Sequence, residues 1–155
     1  MKIRKLLTAL MLLATLGANA QNADKLYAEG KQLYDAENYK AAFPKLKAAA
    51  AKGHKKAQYR MGRCYDKGRG VEENDTVAFQ WYVKSALQHY AKAQYHTGKA
   101  YLTGRGVAAD RDKAKTWLKR AVKNPKGGDK LLKRLRSRQA EGDEEAITML
   151  KLVGK

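Results

Sequence analysis

Cysteine and proline are scarce in this chain, with one Cys and two Pro among 155 residues. A single thiol excludes an intramolecular disulfide framework and a cysteine-based structural zinc site. Acidic residues are also few: 15 Asp and Glu stand against 33 Lys and Arg, for a formal charge of +18. The hydrophobic fraction of 44% is nevertheless too high for a disordered polycation. Long apolar runs are missing as well. The run from Leu6 to Leu16 is 11 residues, about 16 Å of helix against a hydrocarbon core of roughly 30 Å. No stretch alternates with period two for long enough to make a sheet. The length suits one domain.

What is present begins with a pattern for export. Lys2, Arg4 and Lys5 precede the apolar run, and Ala18-Asn19-Ala20 supplies small residues at −3 and −1 of a cleavage site. Residues 1–20 are therefore expected to be a cleavable signal peptide, with the mature chain starting at Gln21 in the periplasm or the medium. The competing reading is an uncleaved anchor or a buried first helix. No Cys follows the run, so lipoprotein processing has no residue to acylate. Cleavage removes three of the 33 basic residues and none of the 15 acidic ones, leaving 30 − 15 = +15.

The rest of the chain repeats itself at a spacing of 36. Residues 57–71 read AQYRMGRCYDKGRGV, and 93–107 read AQYHTGKAYLTGRGV. Across 57–86 against 93–122, 11 of 30 positions are identical, a period that belongs to solenoids. Ala57, Gly62 and Tyr65 recur at helical spacing, small residues admitting a neighbouring helix and Tyr filling the groove. The two Gly-Arg-Gly-Val turns, from Gly68 and Gly104, suit backbone at positive φ between antiparallel helices. Asp75 and Asp110 are expected as N-caps before Ala78-x-x-Trp81 and Ala114-x-x-Trp117. A shorter first unit carries Tyr27-x-x-Gly30 and Ala42. Asp143 is expected to cap a terminal helix that covers the open end of the stack. Helices are expected near 23–35, 38–52, 54–66, 75–89, 91–103, 110–123, 129–140 and 143–153.

The pattern AxYxxGxxYxxGRGVxxDxxxAxxWYxKSA closely resembles Sel1-like repeats, relatives of the tetratricopeptide repeat. The resemblance implies an all-α, right-handed α-solenoid of stacked antiparallel helix hairpins. Its units fall at about 23–52, 54–89 and 91–123, with capping helices over 129–153. It also implies a non-catalytic adaptor that holds a protein or peptide on a concave surface lined by the first helix of each hairpin. Exposed positions there are Arg60, Arg63, Lys67, His96 and Lys99, and a basic groove favours an acidic peptide. An exported subgroup linked to β-lactam binding is similar in export but carries a cysteine pair in each repeat, from which this chain departs.

No constellation suggests catalysis, a metal or a cofactor. His54, His89 and His96 lack a nearby carboxylate set, and no Ser or Cys sits in a nucleophile motif. Cys64 aligns with Ala100 and reads as a small core residue, an intermolecular disulfide or reactive thiol being the alternative. The Gly-Arg-Gly turns lack the Lys-Ser/Thr of a phosphate loop. Tyr and Trp take matched positions and read as core. Residues 111–138 hold 12 Lys and Arg against Asp112 and Asp129. Within them, 129–140 sets Leu131, Leu132 and Leu135 on one face, ringed by Lys130, Lys133, Arg134, Arg136 and Arg138. This patch reads either as a solvated surface or as a site for an acidic partner, whether an acidic protein or an envelope polyanion such as anionic lipid, glycan or nucleic acid. No nucleic-acid fold motif accompanies it, so no specific nucleic acid is expected.

Overall fold

The computed structural model describes the backbone of residues 2–155 and the side chains from Gly17 onward. Among the described residues there are eight helices and no strand. They are α1 (Lys2–Asp35), α2 (Tyr39–Ala51), α3 (Lys55–Asp66), α4 (Asp75–Leu87), α5 (Ala91–Thr103), α6 (Arg111–Val122), α7 (Gly128–Ala140) and α8 (Glu144–Val153). The side chains of 2–16, which carry most of the expected signal, lie outside the described residues. The helix expected at 23–35 is the last part of α1, which starts at Lys2. Leu, Ala and Met dominate residues 6–20, and the weaker helix formers Gly17 and Asn19 do not interrupt the helix, which runs on to Asp35.

Five helix starts are fixed by a side chain that accepts the amide of N3, whereas α5 and α7 have no side-chain cap. Asn38, His54, Asn74, Asp110 and Asp143 do this for α2, α3, α4, α6 and α8. Asp75 is thus not the cap expected for α4; Asn74 is, and Asp75 is the first helical residue. The reason is register, since Asn74 and not Asp75 stands 36 residues before Asp110.

Consecutive helices pack in sequence from α1 to α6, and α7 and α8 close the end against α6 and each other. One contact recurs in the first three hairpins. A Cβ on Gly30, Gly62 or Gly98 would lie 2.9, 2.5 or 2.8 Å from Leu46, Tyr82 or Leu118 of the facing helix. Those three partners are spaced by 36, so the glycine is the hole and the large side chain the knob. Between units, the Gln88 amide donates to the Gly53 carbonyl (2.9 Å) and to Gln58 Oε1 (2.7 Å). Asn124, 36 residues on, donates to the His89 carbonyl (2.9 Å) and to Gln94 Oε1 (3.0 Å).

The Gly-Arg-Gly turns also work between units. Gly70 and Gly106 have φ of +74° and +73°, and their Cα atoms rest on the Tyr39 and Asp75 carbonyls at the starts of α2 and α4. The arginines reach back in the same direction. Arg69 donates to the Tyr34 hydroxyl at 2.7 Å, and Arg105 pairs with Asp66, Glu73 and Asp75 at 3.1, 2.9 and 2.8 Å. Leu118, Ala121, Leu131, Leu135, Met149 and Leu150 form a terminal core, so α7 and α8 cover the open end as expected. The tryptophans are only partly buried, with Lys84 over Trp81 (4.4 Å) and Arg120 over Trp117 (4.8 Å).

Candidate functional site: a cationic face on α3, α5 and α7

Along α3, Lys56, Arg60, Arg63 and Lys67 recur at helical spacing, and one repeat later Lys92, His96, Lys99 and Thr103 follow the same stripe on α5. The hairpin packing sets these stripes side by side. Arg63, Lys67, His96 and Lys99 line a single cleft of about 190 Å³ between α3, α4 and α5, joined by Asp66, Tyr82 and Arg105. Arg60 stands one turn away, paired with Asp35 at 3.1 Å and lying 4.6 Å over the Tyr34 ring.

Within the cleft the cations differ in how far they are already engaged. Lys99 is bound to Glu145 at 2.7 Å, and Lys67 approaches Asp66 at 3.8 Å. Arg63 joins no ion pair among the described residues, and its Nε is buried without a hydrogen-bond partner. Beside it, the Tyr82 ring is stacked on His96 at 4.8 Å, and its hydroxyl is also buried and unpartnered. Burial first, then the cations of Arg63, Lys99, Arg134 and Lys67, push the His96 pKa down to about 3, so the ring is neutral. His96 is therefore part of an aromatic floor with Tyr59, Tyr82 and Tyr95 rather than the exposed polar group expected.

The basic patch of α7 comes to the same face. Arg134 lies 5.2 Å over the Tyr95 ring, and Arg138 donates to the Tyr95 hydroxyl at 3.0 Å. Arg138 is bound as well to Asp143 and Glu145, at 2.7 and 3.1 Å, so it ties α7 to α8. Lys130, Lys133, Arg134 and Arg136 are exposed. At the meeting point stands Lys92, whose ammonium is held below the usual lysine range by partial burial and then by Arg60, Lys130, Arg134 and Arg63. The cations acting most on Lys92 and His96 come from α3, α5 and α7, none from α6. The groove residues and the α7 patch, separate in the sequence, form one surface.

Lys92 is not singled out by the sequence, and Tyr82 only as part of the repeat pattern. Lys92 was within reach by carrying the stripe one turn upstream, because it precedes His96 by four. Tyr82 was signalled by the repeat, being the one Tyr where Leu46 and Leu118 stand at the equivalent positions. Cys64 is fully buried, and burial pushes its thiol up to about 11, which fits the core reading.

The family model described as Sel1 repeat matches residues 55–90 and 91–125. Residues 55–125 are a pair of Sel1 repeats. A crystal structure of a Sel1 repeat protein from Oxalobacter formigenes is similar with 32% identity and a TM-score of 0.64, over 81% of this chain and 54% of that one. The structure of c5321, a protective antigen of uropathogenic Escherichia coli displaying an SLR fold, is similar with 26% identity and a TM-score of 0.62. That match spans 83% of this chain and 30% of c5321. The chain thus covers about half or less of these relatives. No curated protein matches it. Within this pair α3 and α5 are the first helices of the two repeats, and they carry the cationic stripes.

Proposed function

We propose that this protein is an exported, non-catalytic adaptor whose Sel1 face binds an acidic segment of a protein partner. The carrying observation is geometric: Arg63, Lys67 and Lys99 line one cleft with His96, whose ring meets Tyr95, and Arg134 and Arg138 of α7 lie on that same Tyr95. Sel1 repeats are generally protein-interaction modules, and the described residues hold no group of His, Cys, Asp and Glu that could bind a metal. A polypeptide is favoured because its carboxylates can meet the charges while its methylenes cover the partly exposed His96 ring. Export rests on the pattern of residues 1–20. Protein recovered from the envelope or medium of an expressing bacterium is expected to begin at Gln21; recovery only inside the cell, beginning at Met1, contradicts export.

Binding is tested by fluorescence anisotropy with a short Glu-rich peptide and its Gln-rich counterpart. The Glu-rich peptide is expected to bind saturably and to weaken between about 100 and 500 mM salt without being abolished, because aromatic contacts are not screened. Equal binding of both peptides removes the acidic specificity.

A second reading, an envelope polyanion binder, is favoured by α6, where Arg111 and Lys115 are exposed apart from the convergent set. Anionic vesicles or glycans that bind more tightly than the peptide, with complete loss at high salt, favour it.

A further inference from the structure

We propose that the cleft between α3, α4 and α5 is a receptor for one carboxylate side chain, Asp or Glu, of the partner segment, held by Arg63 and the Tyr82 hydroxyl. This rests on the reading that an acidic segment lies on this face, and it names the group that anchors it.

Two buried donors on residues that line the cleft have no hydrogen-bond partner among the described residues: Arg63 Nε and the hydroxyl of Tyr82, a residue only 4% exposed. Unsatisfied buried donors are rare in folded chains and call for an acceptor. Burial, with Asp66 nearby, keeps the Tyr82 phenol protonated, so it remains a donor. Packing does not explain the hydroxyl. The facing glycines of the first and third hairpins are filled by Leu46 and Leu118, so the fold requires only an apolar side chain here.

The charges around the cleft select the ligand. Arg105 neutralises Asp66 and Asp75 on one wall, and Glu145 neutralises Lys99 on another. Arg63 is left without a counter-charge among the described residues, which suits a single negative charge. His96 is neutral and stacked on Tyr82, offering an aromatic wall for the methylenes of the incoming side chain. At about 190 Å³, the cleft is smaller than the roughly 300–1,000 Å³ typical of small-molecule sites. It has room for an amino-acid side chain and a few waters, at about 30 Å³ each.

The test is NMR on the isotope-labelled full chain, following the Arg63 Nε–H resonance and the amides around Lys92 and Lys130. The probes are N-acetyl-glutamate N-methylamide, the matching glutamine compound and the Glu-rich peptide. Saturable shifts at Arg63 Nε–H with the glutamate compound and the peptide, absent with glutamine, are expected. Tyr82→Phe keeps the ring against Gly62 and should weaken the peptide about tenfold. Tyr82→Leu, the residue of the other two hairpins, should do the same while remaining folded. A peptide that shifts the Lys92 and Lys130 region but leaves Arg63 Nε–H unmoved overturns the receptor and spares the wider reading. Unchanged affinity in both Tyr82 variants does likewise. A peptide that shifts neither region overturns both.

Discussion

At the residue scale, the two faces of α3 and of α5 carry different duties, and departures from the repeat mark where they do. Thr97 stands where the preceding unit has Met61; it is fully buried and its hydroxyl has no partner. Replacing Thr97 by Val keeps the shape and removes the orphaned hydroxyl. It is expected to stabilise by about 1 kcal/mol, raising Tm by roughly 2–5 °C in a thermal melt. His96 gives a pH dependence of known sign. Its folded pKa is depressed to about 3, whereas an unfolded chain protonates it near 6.5. Above about 6.5 neither state binds the proton; below it only the unfolded state does, so stability falls as pH drops from about 6.5 towards about 3 and then levels. His54 is shifted in the same direction by burial, so His96→Gln should flatten the slope only in part. Denaturant melts between pH 4.5 and 7 measure this, and an unchanged slope contradicts the burial of His96.

At the element scale, the helices were largely legible because periodicity, caps and glycine breaks agreed with one another. Seven of the expected helices end within two residues of the observed ones, and only the start of α1 differs. There the signal-like composition masked a helix that runs on through Gly17 and Asn19 to Asp35. The cap of α4 was misplaced because Asp75 looks like Asp110, while the repeat spacing points to Asn74. The turns were legible as glycine-dependent, but not that they pack onto the preceding unit. That difference gives a prediction. Gly106→Ala sets a Cβ about 2.1 Å from the Asp75 carbonyl oxygen at a φ of +73°, and should cost about 3 kcal/mol or more. Gly142→Ala, with φ of +80° but no atom within 4 Å, carries only the backbone cost of about 1 kcal/mol. Similar losses in chemical denaturation would mean that the turn does not hold the units together.

At the scale of the whole molecule, high charge and a shaped face must be told apart. The sequence marked the cations of α3 and α5 and the patch of α7 as two sites, because nothing linear shows that α7 returns across Tyr95. Only the docking of α7, through Arg134 and Arg138, brings the two together at Lys92. At physiological salt the screening length is about 8 Å, so a bound peptide feels the cations beside it and little of the total charge. Charge reversal at two pairs of exposed positions separates the possibilities directly. The measurement is the Kd of the Glu-rich peptide for Lys92→Glu with Arg134→Glu, against Arg111→Glu with Lys115→Glu on α6, at about 150 mM salt. The pairs change the net charge equally. A loss of about tenfold or more for the first pair, and less than about threefold for the second, is predicted. Equal losses would contradict the face on α3, α5 and α7 and leave net charge alone as the source of binding.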